Sequence, residues 1–320
     1  MRQSYMDTDI SRAEFKLLVD QEHLEKVWSI MDPIVRKYVD GYLEGVSHYK
    51  DLPTQQDSYA AFLSDLIKQN DKLHDKYHAI FALDLMEEEY SEDIDGFKGV
   101  TLKKECDVIR KTLQSKSETL NDWKAKFYGC KSQVLYDTFY NMMSFAMDYD
   151  RDMDEGAMNA LNTIEMCALS RMEEDACYKS GVLGFGIVSN ILNHMYPRTF
   201  PGNYKAGIYS LYFLSGAGTG IDMPSETSEF CMVKDETRSK TGIVEMEHNY
   251  FFPYETFCIY TLRIYRVLVE AIHQRLHMEY PSDYRFLLTN DFYEYVTAEN
   301  RSYIATMTGN DDMLKFTTVW

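Results

Sequence analysis

No two cysteines of this chain stand at C-x2-C spacing, which removes the zinc-knuckle signature. Nor does any apolar run approach the roughly 18–20 residues of a membrane-spanning helix. The first ten residues, MRQSYMDTDI, are too polar for a signal peptide. Basic residues are in short supply, with 33 Lys and Arg against 51 Asp and Glu, a formal charge of −18. Duplex binding needs many phosphate contacts from Lys and Arg, so there is no strong DNA-binding signal, and an anionic membrane is an equally poor partner. The six cysteines, Cys106, Cys130, Cys167, Cys177, Cys231 and Cys258, are scattered. They read as reduced thiols filling core positions in a cytoplasmic protein.

Several chemical signatures are also missing. The loop SGAGTG (215–220) lacks the Gly-Lys-Ser/Thr of a phosphate cradle, and GFG (184–186) follows a helix rather than a strand. No G-x-S-x-G elbow is present. The acidic run DYDRDMDEG (148–156) invites a calcium loop, which needs Gly at its sixth position and Glu at its twelfth. From Asp148 those positions hold Met153 and Asn159; from Asp150 they hold Glu155 and Leu161. The run therefore reads as a solvated turn or the acidic start of a helix.

What is present is a long, well-mixed chain. Of 320 residues, 45% are hydrophobic, enough to bury a sizeable core, and 25 Tyr and 17 Phe argue against general disorder. The apolar spacing is helical almost throughout. Ser11 and Glu14 form a capping box, and Asp32-Pro33 is expected to end one helix and begin the next. Residues 52–90 follow as a helical stretch with a break near Asn70, then helices over 102–127, 132–147 and 155–179. Two apolar helices come next, joined by a Pro- and Gly-containing turn. SEFCMVKD and GIVEMEHNYFF read as a β-hairpin with a loose tip, and Pro253 and Pro281 each open a helix. The tail LKFTTVW reads as a last strand or a docked coil. The expected fold is mainly α, a multi-helix globular protein with a small β-hairpin in the C-terminal half. A helical region 1–147 and a mixed region 155–320 are expected, unless the two form one continuous domain.

The stretch RIYRVLVEAIHQRLH (263–277) concentrates the chemistry. On a helical wheel Phe257, Ile264, Tyr265, Val267, Leu268, Ala271 and Ile272 share an apolar arc. Arg263, Arg266, Glu270, His273, Gln274 and His277 form the remaining polar stripe. A helix lying at the surface needs such a wet face, and Arg266 with Glu270 makes an ordinary i,i+4 pair. The same stripe carries three other spacings. Arg266 and His273 sit two turns apart, so an arginine could hold a phosphate while a histidine moves the proton of a ribose hydroxyl. That spacing resembles the R-x4–6-H motif of HEPN ribonucleases, although Val267 stands where a polar residue usually follows the arginine. The resemblance implies an all-helical, usually dimeric, metal-independent ribonuclease with RNA as substrate, Arg266 and His273 as catalytic pair and Glu270 orienting the arginine. Glu270 and His273 also have E-x-x-H spacing, and His273 and His277 the H-x3-H spacing of two metal ligands. His74 and His78 repeat H-x3-H in DKLHDKYHA, with Asp71 and Asp75 each three residues before a histidine. Zinc or iron would suit either pair.

One further segment, SNILNHMYPRTFPGNYKAGIYSLYFL (189–214), has a recognisable order of residues: Ser189, Leu192, Asn193, Pro197, Phe200, Pro201 and Asn203. It is similar to a helical segment of bacterial restriction- and defence-associated proteins. The two prolines stiffen the turn, Phe200 pins it to the core and Asn203 is placed to cap the next helix. The resemblance is structural and transfers no catalytic residue. With no strong catalytic motif, an acidic balance and abundant aromatics, the first functional expectation is a protein-interaction or accessory subunit. Its partner would be another protein or a second copy, in a bacterial defence or mobile-element setting. No resident cofactor is expected; the ribonuclease and metalloprotein readings are the alternatives.

Overall fold

The structure is a computed structural model that describes residues 9–117, 120–174, 176–218, 220–224, 228–233 and 245–309. The fold is mainly α, with one two-stranded antiparallel hairpin in the C-terminal half. Helix α1 (Asp9–Leu18) leads into α2 (Gln21–Ser47), whose first turn is capped by Asp20 accepting the His23 N–H at 2.9 Å. Helix α2 runs straight through Pro33, contrary to the break expected at Asp32-Pro33. Pro33 and Ser29, whose carbonyl loses its donor, both lie on the exposed face. That carbonyl is therefore on the solvent side, while Val27, Met31, Val35 and Val39 stay buried on the opposite face.

Helix α3 (Gln55–Phe81) is capped by Thr54 and continues unbroken past Asn70, which is buried. Short helical and π-type turns follow over 83–105, then α4 (Asp107–Gln114), α5 (Asn121–Gly129) and α6 (Ser132–Asp152). The helix expected over 155–179 is instead fragmented into α7 (Glu155–Ala160), α8 (Ile164–Cys167) and a 3-10 turn at Ser170–Glu173. Asp154, from the acidic run, caps α7 by accepting the Ala157 N–H at 2.8 Å.

The apolar pair appears as α9 (Phe185–Met195) and α10 (Lys205–Leu214). Strands β1 (Cys231–Val233) and β2 (Met246–His248) pair with Cys231 opposite His248. The hairpin tip and the LKFTTVW tail lie outside the described residues. Pro253 is the N-cap of α11 (Tyr254–Leu276). After Pro281 and a 3-10 turn come α12 (Arg285–Glu299) and α13 (Arg301–Thr308).

Helix α11 packs between α2 and α12; α12 packs on α10, and α3 lies between α2 and α9. The close seat of α10 requires Gly207, where a Cβ would come 2.9 Å from Phe257 Cζ. One cluster of buried apolar residues extends from Leu18 to Met307. All six cysteines are free, and five of them are buried. Among the described residues no helix is long and apolar enough to cross a membrane.

Candidate functional site

Three places collect the polar and aromatic groups that could act on something outside the fold. The first is the stripe on α11. Arg263 grips Glu25 of α2 with both terminal nitrogens, at 2.8 and 2.5 Å, and donates to the Asn162 carbonyl. Its guanidinium also lies over the Trp28 ring. The Arg263 hydrogen bond holds the Glu25 carboxyl below the usual carboxylate range. Arg266 turns to the end of α7, donating to the carbonyls of Met158, Asn159 and Leu161 at 3.2, 3.0 and 2.6 Å. These are carbonyls that a continuing helix would have used, so the arginine substitutes for the lost turns. Arg275 reaches Asp40 of α2.

The other sequence-predicted residues part from Arg266. Glu270 accepts from Arg36 of α2 at 3.1 Å and from Gln274, and does not orient Arg266. His273 is exposed and pairs with Glu279 at 3.0 Å, beyond the helix end. His277 is no longer helical: it takes a left-handed conformation, φ 54° and ψ 37°, and closes the helix. The stripe therefore reads as a seam that ties α11 to α2 and α7, with an exposed end. One terminal nitrogen of the guanidinium that would hold an RNA phosphate, Nη2, is taken up by three backbone carbonyls.

The second place is the His74/His78 pair, which sits inside α3, with the two ring centres 5.7 Å apart. His74 Nδ1 is 3.0 Å from the His194 carbonyl oxygen in the last turn of α9. His194 itself stacks on Tyr77, 5.3 Å between centres and 9° from parallel, and its Nδ1 contacts Asn70 Oδ1. Burial first, then the neighbouring His74, pushes the His194 pKa down to about 4. Tyr77 donates to Asn190 at 2.9 Å, completing the join between α3 and α9. Among the described residues no three His, Cys, Asp or Glu side chains gather closely enough to hold a metal ion.

The segment 189–203 is the hub behind this join. Ser189 Oγ accepts the Asn203 N–H, Asn193 donates to the Phe200 carbonyl, and Asn290 of α12 donates to Asn193. The carbonyls of Pro197 and Pro201 accept from the Phe286 N–H and the Tyr254 hydroxyl. Phe200 is fully buried. Asn203 does not cap α10 as expected; Tyr204 is the N-cap, without a side-chain bond.

The third place, missed from sequence, is an aromatic face built from α10, the hairpin and α13. Tyr303 is 53% exposed and meets the edge of Phe213 at 5.5 Å, with Tyr212 at 6.5 Å. Tyr250 is 50% exposed, 4.4 Å from Phe251 and 6.0 Å from His248. His248 in turn lies 5.7 Å from Tyr209, one helical turn before Tyr212. Burial drives the His248 pKa down to about 3. The only sequence signal was the tyrosine and phenylalanine content of the C-terminal region. A buried pair also went unnoticed there: His23 Nε2 meets Glu229 Oε2 at 2.5 Å and fastens the start of α2 to the segment before β1. Burial raises the Glu229 pKa, opposed by its bond to His23.

Comparison of the chain with protein-family models, with curated proteins and with solved structures gives no match.

Proposed function

We propose that the chain is a protein-binding subunit, accessory or regulatory, and that it binds through the aromatic face around Tyr250 and Tyr303. The observation that carries this reading is the pair of half-exposed tyrosines, each packed against further rings, Tyr250 on Phe251 and His248 and Tyr303 on Phe213 and Tyr212. Tyrosines held by packing are pre-ordered, so a partner gains contact area without immobilising them, and tyrosine is enriched among interface hot spots. With a net charge of −18, and Glu245 and Glu247 on the same hairpin, the fitting partner is a protein with an apolar anchor rimmed by Lys and Arg. The likeness of 189–203 to segments of defence-associated proteins agrees with an accessory role in such a system, in the cytoplasm.

The test is purification of the chain from its native cells at low and high salt. A basic protein should co-elute at fixed stoichiometry and weaken as salt rises. The double variant Tyr250→Ala, Tyr303→Ala should bind it roughly 30-fold less tightly, on the order of 2 kcal/mol, with unchanged urea unfolding. Elution of the wild type alone at every salt, or equal binding by the double variant, would overturn the proposal.

A further inference from the structure

We propose that His74 and His78 form a two-histidine site for a late first-row divalent cation, Zn2+ being the natural probe. Three observations carry it. Both residues are helical in α3, His78 in the last turn before Phe81, so the i,i+4 relation is realised in the backbone. The His194 carbonyl can only accept, so the hydrogen between it and His74 resides on Nδ1. In the neutral ring the free lone pair is then on Nε2, and the bond to an anchored carbonyl fixes the ring, as outer-shell partners of metal-binding histidines do. That carbonyl is one of the four that the end of α9 leaves without a helical partner, so the anchor is supplied by the fold.

The third observation is the spacing of the rings. Zinc–nitrogen bonds of about 2.0–2.1 Å put each ring centre about 3.2 Å from the ion, and a tetrahedral angle then sets the centres about 5.2 Å apart. The observed separation is 5.7 Å. Closing the difference takes a small side-chain rotation, and His78 is exposed and has room to make it. Asp71 and Asp75 are exposed on the same arc of α3 and add negative charge near the ion. Among the described residues no third protein ligand is within reach, so water would fill the remaining positions and leave the site open to an incoming donor.

The experiment is calorimetric titration of the untagged full chain with ZnCl2 at neutral pH, followed by thermal unfolding at saturating metal. One ion per chain and a rise in Tm of about 1–3 °C are expected. His78→Ala should weaken binding at least tenfold without altering metal-free unfolding, because that ring is exposed. His273→Ala and His277→Ala should leave binding unchanged. Across cations the affinity should rise from Co2+ through Ni2+ to Cu2+. No heat of binding at millimolar zinc, or full binding by His78→Ala, would overturn the assignment.

Discussion

Helices α3 and α11 carry the same histidine spacing and do different things with it. In α3 both residues are helical, and one ring is braced by a carbonyl from a neighbouring helix. In α11 the second histidine is the residue at which the helix stops. H-x3-H encodes two rings on one face only while the backbone between and beyond them stays helical. His273 and His277 satisfy the pattern as letters, but His277 has left the helical path and His273 turns to Glu279. The same holds for the arginines of α11. Their spacing suggests a face, yet Arg263, Arg266 and Arg275 are committed to other parts of the chain.

Substitutions along the two helices sharpen this contrast. The largest effect is expected at Arg266→Leu. Three carbonyls at the end of α7 would lose a charged donor, and stability should fall by about 2–3 kcal/mol in urea unfolding. A loss below about 1 kcal/mol would make Arg266 a surface residue after all and reopen its use in binding phosphate.

Next comes the acid response of the α3–α9 join. His194 has its pKa depressed to about 4, against about 6.5 in an unfolded chain. Between those values the unfolded state binds a proton that the folded state refuses. The contribution is complete above about pH 6.5 and is lost as the pH falls toward 4, roughly 2.5 kcal/mol by pH 4.5. His194→Phe, which keeps the stacking on Tyr77, should therefore show a flatter decline between pH 6.5 and 4.5. An unchanged decline would show that His194 is not the group responsible. The smallest effect belongs to the exposed end of α11: His273→Ala should change stability by less than about 0.5 kcal/mol. Loss of an RNA-cleaving activity in that variant, measured in EDTA, would turn the comparison around.

Much of the fold was legible because its signals are local. Pro253 and Pro281 marked the starts of α11 and of the turn before α12, and the two β-leaning runs around Cys231 and His248 marked the hairpin. The errors came where distant residues decide. Pro33 stays helical because its face is wet and the opposite face is covered by α11. Where the 155–179 segment breaks, the freed carbonyls are taken by Arg266, more than a hundred positions away. For the sites, the H-x3-H spacings could be read but not which of the two histidine pairs remains on a helix. Of the aromatic face only the aromatic content could be read, since Tyr209, Tyr250 and Tyr303 come from separate parts of the chain.

The seam between α2 and α11 also dictates an order of events during synthesis. Arg36 and Glu270 are 234 positions apart, and Glu25 and Arg263 are 238. At translation rates of about 5–20 residues per second, α2 leaves the ribosome on the order of 10–50 s before α11 exists. For that interval α2 has α3 as a partner but lacks α11. Nascent chains should therefore depend on a chaperone, or on the packing against α3 alone, until the last third of the protein has been made.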